Sequence, residues 1–515
     1  MARNTRTARF VQNTAATAAY QLTAMLLGFV TPRLMMLFYG SEVNGLIVSV
    51  TEFLTYFKLV EAGLASAAVV GLYKPLADED WSAVSAIVSA ARRFYNVAGL
   101  IFCGITVVFA AVYPSFVPVN DISGNPMSYL SVMLLVCAMG VSGALEFFTL
   151  SRYRVLLTAD QRTYMVSIVS MLSLLLSTAL IVALSCLRVN VIWVRLAASC
   201  TLVVRSLVLS RYVKKEYPQV DALAQPNNAP LAKRWDAMYQ QITVAFHQGA
   251  GVVMTTLLTR DAATISVYGT YHMVTVGLWG VLKMTTTGIY SIFGNLLASG
   301  EHERFRAAYR DFELLYHAIC TALFSTAAVL IVPFVVLYTK GVMDANYYAP
   351  LIGYLIIVEA LTDHGKMPMD LMITAAGAFK ETRHHCTAQV VCAVVLGLGL
   401  GAIWGVPGVL VGIILSNLLR TGLQLWYVPR HITHLPWQST LKRILRMVLE
   451  CAVIAVPLLL LDLPIVGVKR WLLFGVGIFA YASLLTALFA WLFDRQSFLS
   501  LIGRAKGLLK SRGKG

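Results

Sequence analysis

The sequence has few charged residues and lacks the short motifs of most catalytic sites. Only 13% of its 515 residues are Asp, Glu, Lys or Arg, about half the share in an ordinary soluble domain. No Walker A loop, GxGxxG after a strand, HExxH helix or nucleophile elbow occurs, and the eight cysteines form no CxxC pair. We therefore expect no enzyme, no ATP-driven pump, no metal site and no cofactor.

The predicted outside loops are poor in catalytic residues and in positive charge. The longest, residues 114–127, has one carboxylate, Asp121, and neither His nor Cys. The net charge of +16 is placed mainly in alternate loops, and the outside loops contain only Arg188, Arg260, Lys340, Lys469 and Arg470. This asymmetry is a topology signal rather than a nucleic-acid surface, so no nucleic-acid partner is expected.

Long apolar runs fill most of the chain, 58% of which is hydrophobic. A helix needs about 20 apolar residues to cross the hydrocarbon core, and fourteen runs meet that length. The sequence thus predicts an all-α integral membrane protein with about 14 transmembrane helices. The predicted spans are 12–37, 45–72, 93–113, 128–150, 163–184, 190–210, 238–258, 265–298, 312–338, 349–377, 387–404, 406–428, 444–462 and 471–493.

The basic loops orient these spans. An even number of spans with Lys and Arg on one side predicts that both termini are cytoplasmic, where the basic tails face membrane lipids. The N-terminus leads straight into a long span without a short apolar region and cleavage site, so the first span is expected to direct insertion. Residues 77–95 combine an acidic start with helical apolar spacing, which predicts an amphipathic helix at the inner interface.

A polar loop at residues 211–236 divides the spans into six before and six after, followed by two more. We predict an N-terminal six-helix lobe (1–211), a cytoplasmic linker (212–237), a C-terminal six-helix lobe (238–430), and two further helices with a basic tail (431–515). A weak internal repeat at an interval of about 221 residues supports two related halves. Such repeats are common in secondary transporters.

The second predicted span carries three charges. A charge at mid-bilayer is costly and normally faces a bundle interior or a wet cavity. Lys58 and Glu61 are three residues apart and are predicted to pair. Glu52 lies on nearly the opposite face, so it either meets a neighbouring helix or reaches water near the outside.

The tenth predicted span places Glu359, Asp363, Lys366 and Asp370 in one polar stripe. Gly365 and Pro368 interrupt it, and such residues predict a break or kink in a membrane helix. The stripe either lines a cavity or forms a buried salt-bridge ladder.

Further intramembrane cations outnumber what helix pairing requires. A cavity that presents several Arg and Lys side chains is suited to an anion, because Arg binds phosphate with two donors and Lys acts as a point charge. For two of these cations, near the span ends, snorkelling to the interface is the alternative. The cations are Arg33, Arg195, Arg205, Lys283 and Arg420, and the two near span ends are Arg195 and Arg420.

Several segments resemble one transporter family. They are FYGSEVNGLIVSVTEFLTYFKLVEAGLASAAVVGLYKPLADED, ISVYGTYHMV, SIFGNLLASGE and MPMDLMITAAGAFKETR. Together with fourteen spans, they are similar to the polysaccharide-repeat (Wzx-type) flippases of the multidrug/oligosaccharidyl-lipid/polysaccharide (MOP) exporter superfamily. The resemblance implies two six-helix lobes in a V and alternating access. It also implies movement of an undecaprenyl-pyrophosphate-linked oligosaccharide from the inner to the outer leaflet of a bacterial plasma membrane, with polysaccharide polymerase and chain-length machinery as partners.

This expectation gives the buried charges two roles. The cations assigned to the pyrophosphate are Arg33, Lys58, Lys283, Lys366, Arg205 and Arg420. The carboxylates assigned as counter-charges or ion-coupling sites are Glu52, Glu61, Glu359, Asp363 and Asp370.

Three other functions compete with this one. A lipid II flippase would share the fourteen spans and the cationic cavity. A cation-coupled multidrug antiporter generally relies on acidic residues, whereas the first span contains Arg33 and no acid. A scaffold of a polysaccharide-assembly complex would not need so many buried charges.

Overall fold

The computed structural model describes residues 2–61, 64–221, 223–227, 234–286, 289–461, 463 and 467–512. The described chain is helical almost throughout, and the described residues of each of the fourteen predicted spans lie mainly on helix. Nine of the described helices are long and apolar enough to cross a membrane. The all-α, multi-pass membrane architecture predicted from hydropathy is therefore confirmed.

The helices of the first half cover the predicted spans but differ from several of their limits, since the helix over 93–113 begins at Trp81 and the span 12–37 falls on two helices. They are α1 (Ala2–Gly28), α2 (Val30–Tyr39), α3 (Ser41–Phe57), α4 (Leu64–Ala77), α5 (Trp81–Phe116), α6 (Tyr129–Leu145), α7 (Ser151–Ala159), α8 (Thr163–Cys186) and α9 (Val191–Glu216).

The second half continues in the same way. Its helices are α10 (Arg234–Thr259), α11 (Ala262–Thr286), α12 (Ile289–Ala298), α13 (His302–Tyr338), α14 (Pro350–Gly365), α15 (Met367–Ala376), α16 (Arg383–Trp404), α17 (Val406–Val428), α18 (Trp437–Leu460), α19 (Val468–Phe493) and α20 (Arg495–Arg512).

Two predictions about local structure were wrong. The span 45–72 is not one helix, because α3 ends at Phe57 and a 3₁₀ turn follows at Lys58–Glu61. The segment 77–95 is not a separate interfacial helix. Asp80 accepts a hydrogen bond from the Ala83 N–H and so begins α5, which then runs without interruption for 36 residues. The apolar residues that suggested an interfacial face belong to the first turns of this long helix. Val84 and Val88 among them are buried inside the protein.

The chain divides into two compact units. The first comprises Met1–Gly269 with Gly341–Ala345, and the second comprises Thr270–Lys340 with Asn346–Gly515. Large apolar side chains such as Tyr95, Phe102 and Leu46 fill the core of the first unit.

Close helix packing in the first unit depends on a small residue in α3. A Cβ atom at Gly45 would lie 1.8 Å from the Ala262 carbonyl oxygen at the start of α11. Next to it, the Asn44 side chain donates a 2.8 Å hydrogen bond to Ser266 Oγ. Small residues let membrane helices approach until such polar contacts form, because no hydrophobic force distinguishes lipid from protein there.

In the second unit, α16 and α17 form a tight hairpin. The turn at Gly405 has φ of 64°, a left-handed conformation that glycine adopts without a Cβ clash. Further along, a Cβ at Gly412 would lie 2.3 Å from the Gly397 nitrogen, so the two backbones are in direct contact. This hairpin fixes the positions of the polar side chains that both helices carry.

Candidate anion site and buried charge networks

Four charged side chains meet in the first unit where the helices lose regular geometry. The 3₁₀ turn Lys58–Glu61 supplies two of them, and a π turn at Glu146–Leu150 and α7 supply Glu146 and Arg154. Lys58 Nζ donates to Glu146 Oε2 at 3.0 Å. Arg154 donates to Glu146 and to Glu61, at 3.4 Å each. Two cations and two carboxylates balance, and irregular helix turns of this kind often occur at functional sites.

The predicted pairing of Lys58 with Glu61 was therefore wrong. Lys58 binds Glu146, and Glu61 is bridged to the same carboxylate by Arg154. Neither Glu146 nor Arg154 was among the predicted site residues. Glu146 had a usable signal, because it is the lone charge in the apolar span 128–150, whereas Arg154 looked like an ordinary basic loop residue.

A cavity of about 310 Å³ lies beside this network, within the first unit. Its described lining contains three cations and no carboxylate. Hydroxyl groups make up most of the remaining polar surface. The cations are Lys58, Arg195 and Arg205, and the hydroxyl-bearing residues are Tyr20, Thr51, Thr55, Ser142, Ser170, Ser173, Ser177, Ser199 and Thr201.

Two of the three cations form no ion pair with a described carboxylate. Among the described residues, no carboxylate oxygen lies within 4.0 Å of Arg195 or Arg205, and the buried Nε of each has no hydrogen-bond partner. Both lie on α9, ten residues and about 15 Å of helix apart, and both line the same cavity. Arg195 thus faces this cavity with at least part of its side chain.

This arrangement is chemically suited to an anion. A guanidinium removed from water without a partner costs free energy that a bound anion would offset. Each guanidinium presents several donors in a planar fork that matches phosphate oxygens. Hydroxyl hydrogens such as that of Ser177 can rotate to donate to the same ligand.

In the second unit, the tenth span breaks as predicted. The helix α14 ends at Gly365 and α15 begins at Met367, which leaves Lys366 at the junction. Lys366 is 2% exposed and donates to the Asp363 carboxylate and, at 3.3 Å, to Asn417 Oδ1. A break that was predicted from Gly365 and Pro368 therefore places a lysine inside the protein, where Asp363 compensates its charge.

The polar contacts continue from Asn417 through the α16–α17 hairpin. Gln389 Nε2 donates to Asn417 Oδ1 at 2.8 Å, and Gln389 Oε1 accepts from Arg420 at 2.7 Å. Arg420 also pairs with the Asp370 carboxylate, which accepts a 2.6 Å hydrogen bond from Gln424. Arg420 is 7% exposed and does not snorkel. The stripe is thus largely an ion-paired network, the ladder alternative, although Asp370 also lines a cavity of about 390 Å³.

Of the remaining predicted residues, Glu359 contacts the network of the second unit through Asn417, whereas Lys283 lies on α11 and Arg33 on α2. Lys283 is exposed at the end of α11, with its Nζ 4.8 Å from the centre of the Trp279 ring, and lines the same 390 Å³ cavity. Arg33 lies on α2 and is not among the residues that line the 310 Å³ cavity. Glu359 offers its backbone carbonyl to Asn417 at 3.4 Å.

Glu52 faces a different neighbour from Lys58, as its position on α3 predicted. Its carboxylate lies beside α10, where a Cβ at Gly249 would be 2.7 Å from Oε2. Tyr56, one turn later, donates to the Phe246 carbonyl at 2.6 Å. Glu52 therefore meets a neighbouring helix rather than the cavity that Lys58 lines.

The sequence matches no protein-family model and no curated protein. Solved structures are similar. The lipid II flippase MurJ in an inward closed conformation has a TM-score of 0.62 at 11% identity, covering 92% of this chain and 98% of that chain. An inward-facing multidrug resistance MATE family transporter of the MOP superfamily has a TM-score of 0.59 at 14% identity, covering 84% and 95%.

A eukaryotic MATE transporter, AtDTX14, is also similar, with a TM-score of 0.57 at 12% identity, covering 86% of this chain and 98% of that chain. These identities are too low to carry a substrate from one protein to another, since one fold hosts many functions. The chain therefore has the helical membrane fold that MATE transporters and MurJ share.

Proposed function

We propose that this protein is a flippase that moves a lipid-linked oligosaccharide, attached through a diphosphate, from the inner to the outer leaflet. The observation that carries the proposal is the 310 Å³ cavity, whose described lining presents Lys58, Arg195 and Arg205 without a carboxylate. The binding site of a transporter has to offset the charge of the substrate that it carries. The cations of this cavity can offset the negative charge of a diphosphate.

The same observation argues against a multidrug antiporter for cationic compounds. A cationic substrate entering this cavity would meet two guanidinium groups, Arg195 and Arg205, that form no ion pair with a described carboxylate. Like charges in a low-dielectric site repel strongly. Of the half-buried acidic residues in the first unit, Glu61 and Glu146 are held by Arg154, and Glu52 lies beside α10 and does not line this cavity.

The ion pairs also divide the predicted cations into two groups. Lys366 and Arg420 are each paired with an aspartate, so we assign them to holding the second unit together. Arg195 and Arg205 form no ion pair with a described carboxylate, and in this proposal they contact the diphosphate. Lys58 lines the same cavity and also contacts the diphosphate in this proposal, but Glu146 offsets its charge.

Transport in reconstituted vesicles tests this proposal. A fluorescent oligosaccharide linked to a polyprenyl diphosphate is placed in the inner leaflet, and its arrival outside is followed by a membrane-impermeant quencher, under a proton or a sodium gradient. We expect exchange with the wild-type protein and a loss of at least about tenfold in R195Q/R205Q, because each charge-assisted contact is worth about 1.5–3 kcal/mol. The matched control is Lys215→Gln, which removes an exposed cation from the same helix, α9.

Three outcomes separate the alternatives. Exchange of lipid II but not of other diphosphate-linked glycans would make the protein a lipid II flippase. Exchange of a cationic dye, with none of the lipid, would make it a multidrug transporter. No exchange of any of these under either gradient would overturn the flippase proposal.

A further inference from the structure

A groove of about 740 Å³ lies in the second unit among α13, α18, α19 and the start of α20. On α18 its lining combines three cations toward one end, Lys442, Arg443 and Arg446, with apolar side chains that continue toward the other end, Leu445, Leu449 and Val453. One carboxylate, Glu450, lies between them. The charged end belongs to the side of the chain whose Lys and Arg excess predicts that it faces the cytoplasm.

At the charged end of the groove, Arg443 already has its own ion-pair partners. Arg443 donates to Glu313 Oε2 at 2.7 Å and to Asp494 Oδ2 at 2.8 Å, and a third donor reaches Ser497 Oγ at 3.1 Å. One guanidinium thus ties α13, α18 and α20 together. Because its donors are used in these contacts, Arg443 supports the groove rather than supplying charge to a ligand.

Two other cations at this end are uncompensated. Lys442 is exposed, and the described residues place no carboxylate oxygen within 4.0 Å of it. Arg310 has no such ion pair either, and its Nε is buried without a hydrogen-bond partner in the described structure. Arg446, by contrast, lies 3.2 Å from Glu450. The groove therefore has a net positive mouth formed by Lys442 and Arg310.

Beyond the mouth, the groove has an apolar wall. Leu445, Leu449 and Val453 follow at intervals of four residues along one face of α18, and they are 58%, 63% and 45% exposed. Phe489 and Phe493 of α19 stack with their ring centres 6.0 Å apart and complete the wall. From Lys442 to Val453 the helix rises about 16 Å, which is enough for a headgroup and the upper part of an acyl chain.

We propose that this groove binds an anionic phospholipid of the inner leaflet as a resident ligand, separate from the transported lipid. A basic pocket between membrane helices on the cytoplasmic side is the recognised setting for an anionic headgroup. The apolar wall continues into the depth that acyl chains occupy. The headgroup meets Lys442 and Arg310, and one chain lies along Leu445, Leu449 and the two stacked phenylalanines.

Native mass spectrometry of the purified full-length protein tests this assignment. The protein is titrated with dioleoyl phosphatidylglycerol, and with dioleoyl phosphatidylcholine as the zwitterionic comparison. We expect K442Q/R310Q to reduce phosphatidylglycerol binding about twentyfold, because each cation near an anionic headgroup contributes about fivefold. Leu449→Trp leaves the charges in place and fills the apolar wall, and we expect it to reduce binding as well. The control is K214Q/K215Q, which removes two exposed cations from α9 in the first unit.

Two results would overturn the proposal. One is phosphatidylglycerol binding that neither groove variant lowers, or that phosphatidylcholine equals. The other is displacement of phosphatidylglycerol by an equimolar polyprenyl diphosphate, which would make the groove part of the path of the transported lipid. Since the readout is binding and not leaflet exchange, failure here leaves the proposed transport function untouched, and the reverse also holds.

Discussion

The Nζ of Lys58 lies 3.0 Å from Glu146 Oε2, and Arg154 links that carboxylate to Glu61. This pairing offsets the charge of one of the three cavity cations and leaves Arg195 and Arg205 as the surplus. The charge of the cavity is therefore set by residues that only partly line it.

Glu146→Gln should destabilise the protein by about 1–3 kcal/mol, because it leaves Lys58 and Arg154 with Glu61 as their remaining carboxylate next to an already positive cavity. Thermal unfolding of the purified protein in detergent measures this loss. Adding Arg154→Gln should recover part of it by removing surplus charge. The control is Glu303→Gln, which breaks an exposed pair with Arg306 and should change stability by less than about 1 kcal/mol. Equal effects of the two glutamate variants would contradict the network.

An anion in the cavity should stabilise the folded protein. Inorganic pyrophosphate at about 100 times its dissociation constant should add about 2.7 kcal/mol, while chloride at matched ionic strength should add less. R195Q/R205Q should start with a stability equal to or above that of the wild-type protein, because it removes two half-buried charges that form no ion pair with a described carboxylate, and pyrophosphate should not raise it further. A pyrophosphate response that survives in this variant would place the anion elsewhere.

Lys366→Met should be among the most destabilising single changes in the second unit. It removes a buried cation and leaves Asp363 and Asn417 Oδ1 without this donor, at a cost of about 3–5 kcal/mol. Lys283→Met, which removes an exposed lysine beside Trp279, should cost about 1 kcal/mol or less. Yield and thermal unfolding in detergent compare the two. A stable, transport-competent Lys366→Met protein would show that the network has no structural role.

Gly45→Ala should prevent close packing of α3 on α11, because the added Cβ would lie 1.8 Å from the Ala262 carbonyl oxygen. Overpacking costs about 1–3 kcal/mol when neighbouring side chains can move away. Here the obstacle is a backbone atom, so we expect a larger cost. The control is Gly104→Ala on α5, where nothing lies within 4 Å of the new methyl group. We expect loss of folded protein by size-exclusion chromatography for the first variant alone. A monodisperse Gly45→Ala protein would contradict the close approach of the two helices.

Hydropathy and local chemistry were sufficient for much of the fold. The predicted spans are helical because apolar runs of membrane length have no other way to satisfy their backbone groups in lipid. The junction at Lys366 was predictable because Gly365 and Pro368 interrupt a helix whatever packs around it. The placement of Glu52 on nearly the opposite face from Glu61 followed from helical periodicity.

The cavity and its charge balance depend on contacts between distant parts of the chain. The predicted partners Lys58 and Glu61 do not pair. Lys58 binds Glu146 and Glu61 binds Arg154, and these partners are about 90 residues away in sequence. Ion pairs in a membrane are selected by which helices come into contact, and close glycine contacts such as Gly45 with Ala262 are part of that selection.

Composition and hydropathy were enough to predict that the chain spans a membrane and carries more buried cations than helix pairing requires. They could not identify the cations that stay uncompensated. The packing of the helices leaves Arg195 and Arg205 without a carboxylate partner among the described residues, and it places both in one cavity. Charge compensation depends on distance in space and not on distance along the chain.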